Sequence, residues 1–236
     1  MLKDSGMENY SYNPTIDKCG YKISVLVDTP DSWILPWTRK LATILSPYHE
    51  VYLCLNKNDI QYGDFAFILG CVNILSDQYL KRNIYNLVIH ESDLPKGRGW
   101  SPVAWQILEG KNHIPVVMFD AVKDVDAGLI YLRDCIELDG TELSSCIRKK
   151  QGQKTIEMVL KFLELWPDIE LTQQTGEPEY YPKRSITDDQ LDINKSIADI
   201  FDHLRISDNE KYPAWFEYRG KKYDLKIYYK REDNLL

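Results

Sequence analysis

No apolar run in this chain of 236 residues approaches the roughly 18 to 20 needed to cross a bilayer. The opening twenty residues, MLKDSGMENYSYNPTIDKCG, lack both a basic start and an apolar centre. They read as a polar, frayed end, neither signal peptide nor membrane anchor. CxxC pairs are missing as well. Cys19, Cys54, Cys71, Cys135 and Cys146 are odd in number and widely spaced, which fits reduced thiols in a cytoplasmic chain. His49, His90, His113 and His203 show no HxH or HExxH spacing, so no metal is expected. Nor is there a basic excess, since 29 Lys and Arg face 36 Asp and Glu for a net charge of −7. No basic tail hides behind that average, because the residues after Pro167 hold 11 basic against 15 acidic side chains. Broad nucleic-acid binding, which needs clustered Lys and Arg to neutralise phosphates, is not expected.

What is present is core-forming material: 44% of the residues are hydrophobic and 28% charged, enough for one sizeable core and a smaller appendage. YKISVLV (21–27), HEVYLCL (49–55), DFAFILG (64–70), IYNLVIH (84–90), IPVVMF (114–119) and LIYLRDCIEL (129–138) are short apolar runs bounded by turn residues, the pattern of buried strands. Helical stretches stand between them: one through Leu45, a short one capped by Ser76, and one over 102–109. Strands alternating with helices predict an α/β domain with a mostly parallel sheet. Ligands of such sheets bind beyond the carboxyl ends of the strands, and His90 closes one.

Residues 141–166 turn helical, with Gly152 as an expected break and Ile156, Val159, Leu160 and Leu163 on the face toward the sheet. Residues 167–188 are polar and turn-rich. In DINKSIADIFDHLR, the residues Ile193, Ile197, Ile200, Phe201 and Leu204 share one helical face. PAWFEY and KYDLKIYY around RGK (219–221) read as a hairpin, with Trp215 and Phe216 as its core. The expected organisation is a frayed 1–20, a main domain over 21–166, and a linker with a small C-terminal helix and β-hairpin unit over 167–236.

His90 enters a loop, ESDLPKGRG, in which Pro95, Gly97 and Gly99 bend the chain. Ser101 then suits an N-cap, Pro102 the first helical position and Gly110 the stop, which places a helix N-terminus and its anion-favouring N–H groups near the loop. A lone histidine at a strand end is more often structural than catalytic, and a capped βα turn predicts no particular reaction.

Three stretches taken together say more. HESDLPKGRGWSPVAWQILEG, then VDAG, then KRSITDDQLD with HLRIS and YPAWFEYRGKK resemble, in order, three elements of the folate-dependent formyltransferases, and cover most of 64–223. Within that superfamily the first stretch is most similar to sugar N-formyltransferases of pseudaminic acid biosynthesis. The resemblance implies a Rossmann-like formyltransferase domain. It also implies transfer of a formyl group from N10-formyltetrahydrofolate to the amine of a nucleotide-linked amino sugar, expected to be a UDP-linked 4-amino-4,6-dideoxy sugar made for surface glycans.

It further implies that His90 and Asp126 are the catalytic pair. Formyl transfer to an amine passes through a tetrahedral intermediate with a developing oxyanion, while the amine sheds a proton. A histidine can serve either need, and a carboxylate can fix the ring or accept the proton. By composition alone Asp126 is one turn residue among several. Cys71, Asn73 and Ile74 in GCVNIL correspond to the family's pterin loop, although a strand entering a helix cap reads equally well there. Leu94, Ala121, Val122 and Asp124 are the other expected folate contacts. Ser92, Arg98, Trp100, Lys183 and Arg184 are the expected sugar-nucleotide contacts, with Arg suited to phosphate and Trp to stacking. For the charged ones the plainer reading is a solvated loop.

One departure stands out. The family has Asn two residues before its histidine, and here that position is Val88. Asn86 lies four residues from His90, roughly 13 Å along a regular strand, too far to share an oxygen. The oxyanion donor is then a backbone N–H, a water, or a side chain such as Asn73 or Ser92. A different acceptor, such as methionyl-tRNA, and a folate- or sugar-binding module without turnover are the competing readings. The acidic balance and short C-terminal unit weigh against tRNA, the intact His90 and Asp126 against the module. A homodimer is an expectation of the resemblance alone.

Overall fold

The computed structural model describes residues 10–230. The strands are β1 (Lys22–Leu26), β2 (Glu50–Cys54), β3 (Gly63–Ile68), β4 (Asn83–His90), β5 (Arg98–Gly99), β6 (His113–Asp120), β7 (Ile130–Glu137), β8 (Tyr180–Tyr181), β9 (Ala214–Tyr218) and β10 (Lys221–Leu225). The α-helices are α1 (Leu35–Leu45), α2 (Asp77–Leu80), α3 (Pro102–Leu108), α4 (Ser144–Leu165) and α5 (Phe201–Ile206). Six strands form one sheet in the order β2-β1-β3-β4-β6-β7. β1 runs parallel to both β2 and β3, and β3 parallel to β4. The expected α/β fold with a mostly parallel sheet is therefore the observed one. Each anticipated sheet strand is found within one or two residues of its apolar run.

The chain folds into two compact units. The first holds the described residues up to Ile89, with Met118–Leu132 and Thr155–Gln173. Its core is aromatic: Phe162 meets Phe65 and Tyr131 edge-on, with ring centroids 5.4 and 5.6 Å apart, and stacks on Trp166 at 5.5 Å. Ile156, Val159, Leu160 and Leu163 are all buried, as their spacing predicts. Gly152 is no break, because α4 runs unbroken through it. A glycine costs a helix only about 1 kcal/mol, and the packed face of the helix outweighs that.

Of the N-terminal stretch expected to be frayed, residues 10–20 are described. Residues 1–9 lie outside the described residues, but Tyr12 is buried. It sits edge-on to Tyr48, with its hydroxyl 2.7 Å from His49 Nε2. Burial lowers the pKa of His49 from 6.5 to about 4. The unfolded chain then binds a proton that the folded chain refuses, so stability falls as pH drops from about 6.5 to about 4, by up to about 3 kcal/mol. Urea midpoints measured at pH 7 and 4.5 should separate more in the wild type than in His49→Gln. Equal separations would remove His49 as the source.

The second unit holds His90–Val117, Arg133–Lys154 and the described residues from Gln174 on. Here local chemistry overrides two sequence expectations. The helix expected over DINKSIADIFDHLR is only α5. Ser196 Oγ donates to Asp199 Oδ2 at 2.6 Å and the Asn194 N–H to Asp192 Oδ1 at 2.9 Å. Such side-chain bonds offer the backbone an alternative to helix, and they leave Ile193 and Ile197 exposed. Ile200 and Leu204 do join a core cluster with Leu191 and Ala214. Ser101 precedes α3 but adopts left-handed angles (φ 49°, ψ 46°) and makes no capping bond, since a side-chain N-cap needs extended angles. α3 is only 7 residues long. Gly110 is left-handed (φ 81°) and ends the helix as expected. β9 and β10 pair antiparallel around Arg219 and Gly220, both at positive φ, the two-residue hairpin turn.

Candidate active site

In a parallel sheet, loops from strands on either side of a switch in strand order open a crevice at the carboxyl edge. β1 and β3 are such neighbours. The loops that follow them, both in the first unit, are joined by Asp28. Its carboxylate accepts the Val72 N–H at 2.9 Å, the Asn73 N–H at 2.8 Å and the Asn73 side-chain amide at 2.8 Å. Burial works against the charge, but these donors outweigh it and hold the Asp28 carboxyl below its ordinary range. Sequence reasoning missed Asp28; the signal was an acid in the turn right after β1. Cys71, Val88 and Ala121 pack on one apolar cluster around Leu26, Ile68 and Leu75. Burial pushes the Cys71 thiol up to about 12, so it is no nucleophile. Ile74 and Val122 stay exposed at 67% and 42%, and Asn73 and Asp124 are exposed too.

Asn86 is occupied structurally. Its side-chain amide donates to the Leu80 carbonyl at 2.8 Å, which ties β4 to the end of α2. Asn86→Ala should cost about 1 kcal/mol of stability and leave turnover unchanged. Activity lost at unchanged stability would reverse this assignment.

Asp126 is half-buried at φ 51°, a left-handed conformation that Asp tolerates better than most residues. Gly128 follows, and a Cβ placed there would lie 1.9 Å from the Asp120 carbonyl oxygen. Asp120 itself receives the Tyr131 hydroxyl at 3.0 Å. Burial raises its carboxyl above the ordinary range, with the Tyr131 bond opposing.

In the second unit His90 closes β4, 7% exposed, with Nε2 2.8 Å from the Gly97 carbonyl oxygen. A carbonyl only accepts, so Nε2 carries a proton in this contact. In the neutral ring Nδ1 is then the basic nitrogen. Ser92 and Leu94 are buried at 1% and 2%. Ser92 Oγ makes no hydrogen bond among the described residues.

Lys183 and Trp100 come together, while Arg98 is bonded elsewhere. Arg98 donates to Gln174 Oε1 at 2.6 Å, and Lys183 Nζ lies 5.1 Å from the Trp100 ring centroid. Arg184 is instead paired with Asp189, which offsets the charge a phosphate would use. His113, Cys135 and Glu137 bring ligand-type atoms within 4.8 Å of one another. The His113 and Glu137 side chains are about two-thirds exposed and already bonded at 2.5 Å. No helix among the described residues is long and apolar enough to cross a membrane.

No protein-family model matches the chain. Methionyl-tRNA formyltransferase of Malacoplasma penetrans is 26% identical over 214 residues, which cover 83% of this chain and 66% of that protein. The chain thus spans just under two thirds of the length of this curated relative. HypX of Aquifex aeolicus, solved in complex with tetrahydrofolic acid, superposes with a TM-score of 0.72 at 18% identity, over 88% of this chain and 37% of that one. A 4-N formyltransferase from Francisella tularensis gives 0.66 at 18% identity, over 88% and 97%. In sequence the chain is similar to methionyl-tRNA formyltransferase, and its fold is the one that solved formyltransferases share.

Proposed function

We propose that this protein is an N-formyltransferase that moves a formyl group from N10-formyltetrahydrofolate to the amine of a nucleotide-linked amino sugar, foremost a UDP-linked 4-amino-4,6-dideoxy sugar of pseudaminic acid biosynthesis. The observation that carries the reading is His90: buried at the carboxyl end of a central strand, with one ring nitrogen pinned, in a stretch worded like the formyltransferase motif. A solved sugar N-formyltransferase from Shewanella sp FDAARGOS_354, 96% of whose chain is covered, supports the acceptor class.

The residues present suit folate. Cys71 and Ala121 offer apolar walls, and Ile74 and Val122 offer exposed apolar surface for a flat heterocycle. The folate brings the activated formyl group. His90 takes the proton that the amine loses as its nitrogen bonds to the formyl carbon, and returns it to N10 as the old C–N bond breaks. The family resemblance assigns the carboxylate role to Asp126. Arg98 and Lys183 supply positive charge toward a diphosphate, and Trp100 a stacking face.

Asp28 orders the loop that carries Cys71 and Asn73. Asp28→Asn keeps the size but removes charge-assisted bonds worth about 1.5–3 kcal/mol each. Tetrahydrofolate affinity measured by calorimetry should drop at least about tenfold, with the fold retained. Unchanged affinity would separate this loop from folate binding.

The similarity to methionyl-tRNA formyltransferase favours one second reading, with aminoacylated tRNA as acceptor. Incubation with N10-formyltetrahydrofolate and a panel of amino-sugar nucleotides, with methionyl-tRNA in parallel, tests both. Gain of one CO unit by a sugar supports the proposal. Formylation of the tRNA alone favours the second reading, and folate binding without any transfer leaves a binding module.

A further inference from the structure

We propose that Tyr181 is a positioning residue for His90: its ring seats the Gly97 carbonyl against Nε2 and so holds the imidazole with its basic nitrogen at Nδ1. This rests on the reading in which His90 reacts, and every contact involved lies within the second unit.

The loop that leaves β4 is not held by its own bonds alone. A strap over residues 179–182 runs along it. The Arg98 N–H donates to the Glu179 carbonyl at 2.9 Å, the Glu179 N–H to the Pro95 carbonyl at 3.2 Å, and the Trp100 N–H to the Tyr181 carbonyl at 3.1 Å. β5 and β8 are this pairing, with Arg98 opposite Tyr180 and Gly99 opposite Tyr181. Trp105 Nε1 donates to the Pro182 carbonyl at 2.9 Å, so α3 grips the strap from its other side.

Tyr181 is the part of the strap that reaches Gly97. A Cβ at Gly97 would lie 2.7 Å from Tyr181 Cε2 and 3.0 Å from Ser92 Cβ. The glycine, at φ +72°, therefore has both the ring and Ser92 packed where a side chain would begin. The ring is itself fixed twice. It stacks on Trp105 with centroids 6.3 Å apart and planes at 15°, and its hydroxyl donates to Glu109 Oε2 at 2.9 Å. Burial and that carboxylate raise the Tyr181 pKa, so the hydroxyl keeps its proton through the working range. The peptide whose carbonyl meets His90 Nε2 at 2.8 Å thus has no room to move toward the strap.

A left-handed glycine is the residue most free to change conformation once a wall is removed. Without the Tyr181 ring the 95–99 turn gains that freedom, and the Gly97 carbonyl that holds the Nε2 proton is no longer presented. A base with the wrong tautomer loses rate with little change in binding.

The test uses the full chain labelled with 15N-histidine, with the His90 signals assigned by their loss in His90→Gln. At a pH above imidazole titration, the wild type should show a protonated Nε2 and an unprotonated Nδ1. Tyr181→Phe should keep that signature. Tyr181→Ala, or Tyr181→Leu should the alanine variant not fold, should show averaged tautomer shifts. Its kcat should fall about 10- to 100-fold with KM within about twofold. A Tyr181→Ala or Tyr181→Leu protein that folds with the wild-type tautomer overturns the proposal, as does a wild type protonated at Nδ1 alone. The nitrogen shifts do not depend on turnover. If no acceptor is formylated, the function reading fails while the Tyr181 assignment still stands or falls by NMR.

Discussion

Replacing His90 with alanine should lower formyl transfer by about 10²- to 10⁴-fold, the range that a general acid–base group contributes. Folate affinity should change little, because the proposed folate walls are Cys71, Ala121 and their cluster. The reason for so large a loss is that the amine must shed a proton as it attacks, and a buried imidazole with Nε2 bonded to Gly97 is a base already oriented. No reorganisation is left for the reacting step. Single-turnover rates with saturating N10-formyltetrahydrofolate would measure the chemical step apart from binding. A His90→Ala rate within a few-fold of the wild type would end the assignment of the site, whatever the acceptor proves to be.

Gly128→Ala should be the most damaging small substitution in the first unit. A methyl group at that position would stand 1.9 Å from the Asp120 carbonyl oxygen, well inside contact distance. The obstacle is backbone at the end of β6, not a side chain that can swing away. The strand end and the turn carrying Asp126 must separate, and the Tyr131–Asp120 hydrogen bond at 3.0 Å is strained with them. Overpacking of this kind costs typically about 1–3 kcal/mol and more when backbone must move. At about 2–4 °C per kcal/mol for a chain of this size, the melting temperature should drop by up to about 10 °C. Activity should fall further than stability, because Asp126 is displaced in the protein that remains folded. An alanine variant with the wild-type melting curve would show that the approach is looser than the geometry states.

These two residues were legible in the sequence for different reasons. His90 ends an apolar run and enters a Pro/Gly loop, so strand periodicity alone puts it at a sheet edge. Asp126 and Gly128 had no such periodicity, and only the Asp-x-Gly wording set them apart from Asp120 and Asp124. The close approach that requires glycine belongs to two chain segments eight residues apart. Asn86 was legible in part: spacing excluded it from the His90 site, and its bond to Leu80 says what it does instead. Arg184 looked like Lys183 in sequence, yet pairing with Asp189 takes its charge out of use.

By itself the sequence determined the alternation of strands and helices, the parallel sheet, the burial of the α4 face and the place of His90. Each follows from local periodicity and turn chemistry, which neighbours in the chain suffice to set. Tertiary structure alone decided which loops are held and by what: Asp28 gripping residues 72 and 73, and the 179–182 strap closing over the glycines after His90. These contacts join residues about 45 and 80 positions apart, and hydrogen bonds across such distances obey no spacing rule that a sequence displays. The helix expected over 192–205 formed only as α5, for the converse reason. Its apolar period was real, but Asp192, Ser196 and Asp199 satisfied the backbone locally before packing could enforce a helix.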